Sequence, residues 1–273
     1  MTDDATPGRP GGRHDGWRAT PPPDQDNGQG SGRGRGRFRD IGPPPADGDR
    51  PRAAPSRRRR PARAPVAPRL EGAGRACLVW LIAVCCLIEA ALQAGDLAGL
   101  PLRAAAYEWG AFWPGLLADW RPVWPGQPVA MFGTYGFLHG GLLHLGINML
   151  TLWTLGMAVI LRSDVTGFLL VYAAGLVGGG LGYALLATDP RVPMVGASGA
   201  LFALAGAFLA WHLADRVALA QTVAPVLKAV AFLVAVNVAM AVAMAGQLAW
   251  EAHLGGFVVG AAMALALALG RSA

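Results

Sequence analysis

Three short stretches of an otherwise apolar chain carry side chains able to do chemistry. They are His139-Gly-Gly-Leu-Leu-His144-Leu-Gly-Ile-Asn148, Gly196-Ala197-Ser198-Gly199 and Ala252-His253-Leu-Gly-Gly256-Phe-Val-Val-Gly260. A serine hydroxyl is a weak nucleophile until a base takes its proton. Imidazole is the natural base near neutral pH. Ser198 is therefore the candidate nucleophile and His253 the candidate base. A tetrahedral intermediate also needs donors for its oxyanion. The side chains of His144 and Asn148 are candidates, together with the Ser198 backbone N–H, left free at a helix start.

No third member of a triad is evident. Glu251 precedes His253 by two residues, about 200° round a helix. It reads as an interfacial residue near a helix N-terminus, where negative charge is favourable. The expected unit is a Ser–His dyad. A metal is not expected: His139 and His144 are five apart, about 140° round a helix, whereas helical metal pairs prefer the i, i+4 spacing. No cofactor is called for.

The elements that must position these groups follow from composition. The chain has 273 residues, of which 53% are apolar and 15% charged, fewer charges than a soluble domain of this size carries. Charge is also unevenly placed. Residues 1–70 hold 15 Arg and 8 Asp, whereas residues 71–273 are close to neutral. The Gly-, Pro- and Arg-rich segment 1–70 has Trp17 and Phe38 as its only large aromatics. It is expected to be a disordered tail, more a solvated segment that helps fix topology than a binder of anionic lipid or RNA. The first apolar run begins near residue 76, too late for a signal peptide. Cys77, Cys85 and Cys86 share that run and read as apolar fillers, not as a disulfide framework.

Six apolar runs are long enough to span a bilayer as helices, at roughly 76–94, 139–161, 166–187, 197–213, 221–245 and 251–270. Basic residues set the orientation. With both termini cytoplasmic, the tail, Arg75, Arg162, Arg216 and Arg271 lie inside, and Arg103, Arg121 and Arg191 lie in outer loops. Spans two, four and six then all begin on the outer side. His144, Asn148, Ser198 and His253 fall at one depth in one leaflet, although they are far apart in sequence. His144 and Asn148 share a helical face, and Ser198 shares one with Phe202. His253 lies near Gly256 and Gly260, a small-residue stripe that lets helices approach closely. The first outer loop, 95–138, is rich in Trp and Pro and is expected to be partly helical at the outer leaflet. Ionisable groups inside a bilayer each need a reason. Glu89 is expected to bond to a neighbouring helix or to sit near the outer interface, and Asn237 to act as helix–helix glue.

Over roughly residues 76–270 the sequence resembles the rhomboid family of intramembrane serine proteases. The pattern His-x4-His-x3-Asn matches His139, His144 and Asn148. Gly-x-Ser-Gly matches Gly196, Ser198 and Gly199, and Ala-His-x-x-Gly-x-x-x-Gly matches Ala252, His253, Gly256 and Gly260. The resemblance implies an all-α, six-helix membrane domain over 71–273. It assigns Ser198 as nucleophile, His253 as general base, and His144 and Asn148 as helpers of the oxyanion. His139 would be a structural member of the second helix, and Phe202 the aromatic stacked on the catalytic His. It also implies transmembrane-protein substrates cut near the outer end of a helix after a small residue. Lys228 is the one Lys among 23 cationic residues, and with the heavy Ala, Gly and Pro usage this points to a GC-rich bacterial genome, so the expected setting is a bacterial inner membrane, with the lipid bilayer and no nucleic acid as partner. Two family features are missing. Ala130 and Met131 stand where a Trp-Arg pair is usual, with Trp120-Arg121 further upstream, and no Glu follows Gly156. A proteolytically inactive scaffold that binds transmembrane clients is the alternative; both Ser198 and His253 speak against it. A transporter would show internal repeats and broken helices, and neither is seen.

Overall fold

The computed structural model describes residues 68–243 and 248–270. The expected tail lies outside these residues, except that 68–70 open the first helix. The chain runs α1 (Pro68–Leu97), α2 (Leu102–Gly110), a 3-10 turn (Pro114–Leu117), α3 (Gln127–Thr134), a second 3-10 turn (Tyr135–Phe137), α4 (Leu142–Arg162), α5 (Val165–Leu186), α6 (Ser198–Ala218), α7 (Ala224–Ala243) and α8 (Trp250–Gly270). Six of these helices, α1 and α4 to α8, are long and apolar enough to cross a membrane. Their outward faces carry large apolar side chains such as Trp80, Leu87, Phe232 and Val242, all well exposed. In water that surface would be a liability; in lipid it is the solvated side.

Several boundaries differ from the expected spans (α6, for example, runs to Ala218 and not to 213), and two have a clear local cause. Helix α1 begins at Pro68, within the segment read as tail. Proline costs little in a first helical turn, and Glu71 and Arg75 pair one turn apart at 3.8 Å. These residues are too polar for an apolar run to include them. Helix α4 begins at Leu142, not at 139. Gly141 has φ +106°, a conformation that admits glycine and turns the chain into the helix only after it. His139 is thus a loop residue, and the helical angles drawn from it do not apply.

The heart of the bundle is α5, α6 and α8. Apolar side chains gain little by leaving lipid for protein, so membrane helices associate through close packing of small residues. A Cβ added at Gly256 would run into the Gly199 carbonyl, and one at Gly260 into the Ala203 carbonyl. On the other side, Gly182 of α5 lies against Gly255 and the Glu251 carbonyl of α8. Helices α6 and α8 thus touch backbone to backbone. Further along the pair, the indole N–H of buried Trp211 donates to the Ala264 carbonyl at 2.9 Å. Helix α4 joins from the side, where Gly156 seats Leu78 of α1 and Phe168 of α5, the region that lacks the family's Glu. Arg162 and Asp215 pair at 2.9 Å and tie α4 to α6. Helix α7 is different: Val226 is its one buried residue among those described.

The segment 95–138 is largely helical, as its Trp and Pro content suggests. It is closed by Arg103 on α2. Its guanidinium donates to both oxygens of fully buried Glu89 on α1, at 2.9 and 3.2 Å, to Asp96 at 2.7 Å, and to the His139 carbonyl at 3.0 Å. The Glu89 bonding raises the Arg103 pKa above its already high value. Tyr107 donates to the same His139 carbonyl at 2.8 Å.

Candidate active site

The loop that delivers Ser198 is held by backbone. Phe112 and Met194 exchange two hydrogen bonds, at 3.0 and 2.9 Å, as an isolated antiparallel bridge. Gly196 N–H donates to the Tyr135 carbonyl at 2.9 Å. The Tyr135 hydroxyl, fully buried, donates to the Leu176 carbonyl at 2.8 Å. Gly196 sits at φ +119°, and a Cβ there would lie 2.8 Å from His144 Nε2. Glycine is required twice over, by backbone conformation and by the imidazole packed against it.

Ser198 opens α6, where the first N–H groups have no intrahelical acceptor. Phe202 follows one turn on. His253 lies in the first turn of α8. Its Nε2 is 2.9 Å from Ser198 Oγ. The Phe202 ring stacks on the imidazole with centroids 4.2 Å apart and planes 9° from parallel. His253 is buried and Ser198 half-buried, so the hydroxyl remains reachable while the base is shielded.

His144 faces this pair from α4. Gly140 N–H donates to its Nδ1 at 3.2 Å. A neutral ring that accepts at Nδ1 carries its proton on Nε2. That is the atom packed against Gly196, two residues before Ser198. Asn148, one turn on, donates from Nδ2 to the His144 carbonyl at 2.8 Å, which leaves its second amide hydrogen free for another acceptor. Both residues line a cavity of about 710 Å³ together with Ser198, Phe202 and His253, with Leu233 and Met240 of α7 forming part of its wall.

Ser198, His253, His144, Asn148 and Phe202 are therefore brought together, and Gly199, Gly256 and Gly260 form the contact behind them. His139 stands one ring away: it is buried, edge-on to His144 with centroids 5.3 Å apart. Among the described residues no group of three His, Cys, Asp or Glu side chains is placed to hold a metal. One contact was not anticipated. Asn237, read as helix–helix glue, places Oδ1 2.5 Å from His253 Nδ1. It does join α7 to α8, but through the imidazole itself. Its spacing from His253 carries no motif, so its only signal was an amide within an apolar span. Arg103 gave no signal either beyond its charge.

The arrangement is that of a polytopic helical membrane protein with a Ser–His pair set into one end of the bundle. A family model described as "Rhomboid domain" matches residues 126–270. The chain belongs to the rhomboid family, and it is an integral multi-pass membrane protein. It is 40% identical over 77 residues to rhomboid-related protein 3 of Homo sapiens, covering 28% of this chain and 19% of that protein. The Mus musculus protein of the same name is 39% identical over 77 residues, with the same coverage. Rhomboid protease GluP of Bacillus subtilis (strain 168) is 32% identical over 133 residues, 48% of this chain and 25% of that protein. The matched part thus spans a fifth to a quarter of these curated relatives.

Proposed function

We propose that the chain is an intramembrane serine endopeptidase that cuts transmembrane-protein substrates with a Ser198–His253 dyad. The observation that carries this is the 2.9 Å approach of His253 Nε2 to Ser198 Oγ beneath the Phe202 ring. Burying the His253 imidazole costs desolvation, and helix packing here is already achieved by glycine. The relative named as a protease agrees with the reading.

The steps follow from the geometry. Ser198 Oγ–H donates to His253 Nε2. As Oγ attacks the scissile carbonyl carbon, the proton passes to Nε2 and the carbonyl oxygen becomes an oxyanion. His144 Nε2–H, Asn148 Nδ2–H and the Ser198 backbone N–H are the available donors, worth most in a water-poor site. The imidazolium then protonates the leaving amine, and the acyl-serine ester forms. A water, deprotonated by the same imidazole, hydrolyses that ester and restores Ser198. The cavity beside the dyad receives the extended substrate segment. Arg75, Arg162 and Arg216, at the ends of α1, α4 and α6, favour a cytoplasmic start for α1 and with it a site in the outer leaflet.

Purified wild type, Ser198→Ala and His253→Ala in detergent are to be incubated with a model transmembrane substrate and read by gel and mass spectrometry. Cleavage by wild type that disappears in both variants, with folding intact, is the expected result. Cleavage that survives Ser198→Ala would sink the mechanism. No cleavage, with no fluorophosphonate labelling of Ser198, would leave a client-binding scaffold.

A further inference from the structure

We infer that Asn237 is a positioning residue for the base, so that the working unit is Ser198–His253–Asn237 and not a dyad alone. The inference rests on the protease reading and deepens it.

Three bonds carry it. His253 Nε2 faces Ser198 Oγ at 2.9 Å, and His253 Nδ1 faces Asn237 Oδ1 at 2.5 Å. A side-chain amide can be turned either way round, so its own partners must decide the assignment. Here they do: Asn237 Nδ2 donates to the Leu233 carbonyl, one turn back on α7, at 2.9 Å. A carbonyl cannot donate, so the nitrogen must face it and the oxygen must face the imidazole. Oδ1 only accepts. His253 Nδ1 must therefore carry the proton of the neutral ring, which leaves Nε2 with the lone pair that Ser198 Oγ–H requires. The wrong tautomer would put an N–H against the hydroxyl and remove the base. An amide oxygen in this place performs the orienting task a carboxylate performs in Ser–His–Asp triads, without bringing a charge into the bilayer, where charge is costly.

Phe202 fixes the plane of the ring by stacking, but stacking does not choose between tautomers. Glu251, the nearest acidic residue in sequence, is not bonded to the ring; both ring nitrogens are taken by Ser198 and Asn237. A plain glue role would need only some bond between α7 and α8. It would not need the amide clamped at its other end.

The test compares Asn237→Leu, Asn237→Ala and Asn237→Asp with wild type in full-length protein, using the model transmembrane substrate, fluorophosphonate labelling of Ser198 and thermal unfolding. Leu and Ala remove the acceptor, and kcat is expected to fall about 10- to 100-fold, a share of what general-base catalysis supplies, while KM holds within about twofold. Labelling slows in parallel. Asp keeps an acceptor towards Nδ1 but cannot donate to the Leu233 carbonyl, so it is expected to recover part of the loss, with kcat several-fold above that of the Leu and Ala variants. Unchanged kcat in Leu and Ala overturns the inference, as does an equal loss in all three variants with folding intact. If the variants do not fold, nitrogen-15 shifts of His253 in wild type decide. A neutral ring protonated at Nδ1 supports the assignment, and one protonated at Nε2 overturns it. Wild type that neither cleaves nor labels sinks the protease reading first, and this inference with it.

Discussion

Arg103 grips Glu89 with two nitrogens on two oxygens, at 2.9 and 3.2 Å, across the gap between α2 and α1. Glu89 is fully buried. The same guanidinium reaches the His139 carbonyl, five residues before His144. That bracket ties α1, α2 and the loop before α4 to one side chain. Breaking one side of a buried pair leaves an uncompensated charge and costs about 3–5 kcal/mol. Arg103→Ala should therefore lower thermal stability strongly. Arg103→Lys should rescue little of it, because an ammonium cannot supply the fork. Differential scanning fluorimetry in detergent reads both; a Lys variant as stable as wild type would refute the two-pronged geometry.

Loss of one oxyanion donor typically costs about 10²- to 10³-fold in kcat. His144→Ala should show a loss of that order, while Ser198 still reacts with a fluorophosphonate. Steady-state cleavage and labelling, measured side by side, separate this from a folding defect.

Gly196→Ala should act at a distance through the same imidazole. The added methyl meets His144 and sits on a backbone at positive φ. Strain of this kind costs about 1–3 kcal/mol. The expected outcome is a joint fall in kcat and melting temperature. In contrast Gly146, on the same helix as His144, has open space around it. Gly146→Ala should be neutral or stabilising by up to about 1 kcal/mol.

Phe202→Ala removes the ring stacked on His253. Aromatic contacts are worth about 0.5–1.5 kcal/mol beyond their area, so kcat should fall up to about tenfold. Phe202→Tyr keeps the stack and should keep most of the rate. Equal losses in both would show that the stack does not matter.

Much of this site could be read before any coordinates, for a physical reason. Polar side chains in apolar spans are rare, so His144, Asn148, Ser198 and His253 stood out against their surroundings. Topology then put them at one level. The helices that carry them were equally plain, because a bilayer demands long apolar runs. What was missed depends on pairings between elements without a fixed spacing. Asn237 meets His253 across the α7–α8 loop, and Arg103 meets Glu89 from a helix of only nine residues. No periodicity announces either. His139 was misplaced because Gly141, a glycine of positive φ, delays the helix to Leu142, three residues later. The start of α1 was missed because helix can extend beyond the apolar run into polar sequence.

The backbone contact between α6 and α8 gives the site a mechanical property. Ser198 and His253 stand on helices whose separation is set by peptide groups in touch, not by side chains that can swing. Compression or stretching by the surrounding lipid acts on tilt and on loosely held elements before it acts on such a joint. The gap between Ser198 and His253 should behave as a fixed gauge across bilayers of different thickness. Helix α7, with Val226 its one buried residue among those described, is the element expected to yield, and Asn237 would travel with it. On the proposed protease reading, with Asn237 holding the ring, acyl-chain length would act on the tautomer of His253, and cleavage would run at different speeds in thin and thick membranes without any change in the Ser198–His253 distance.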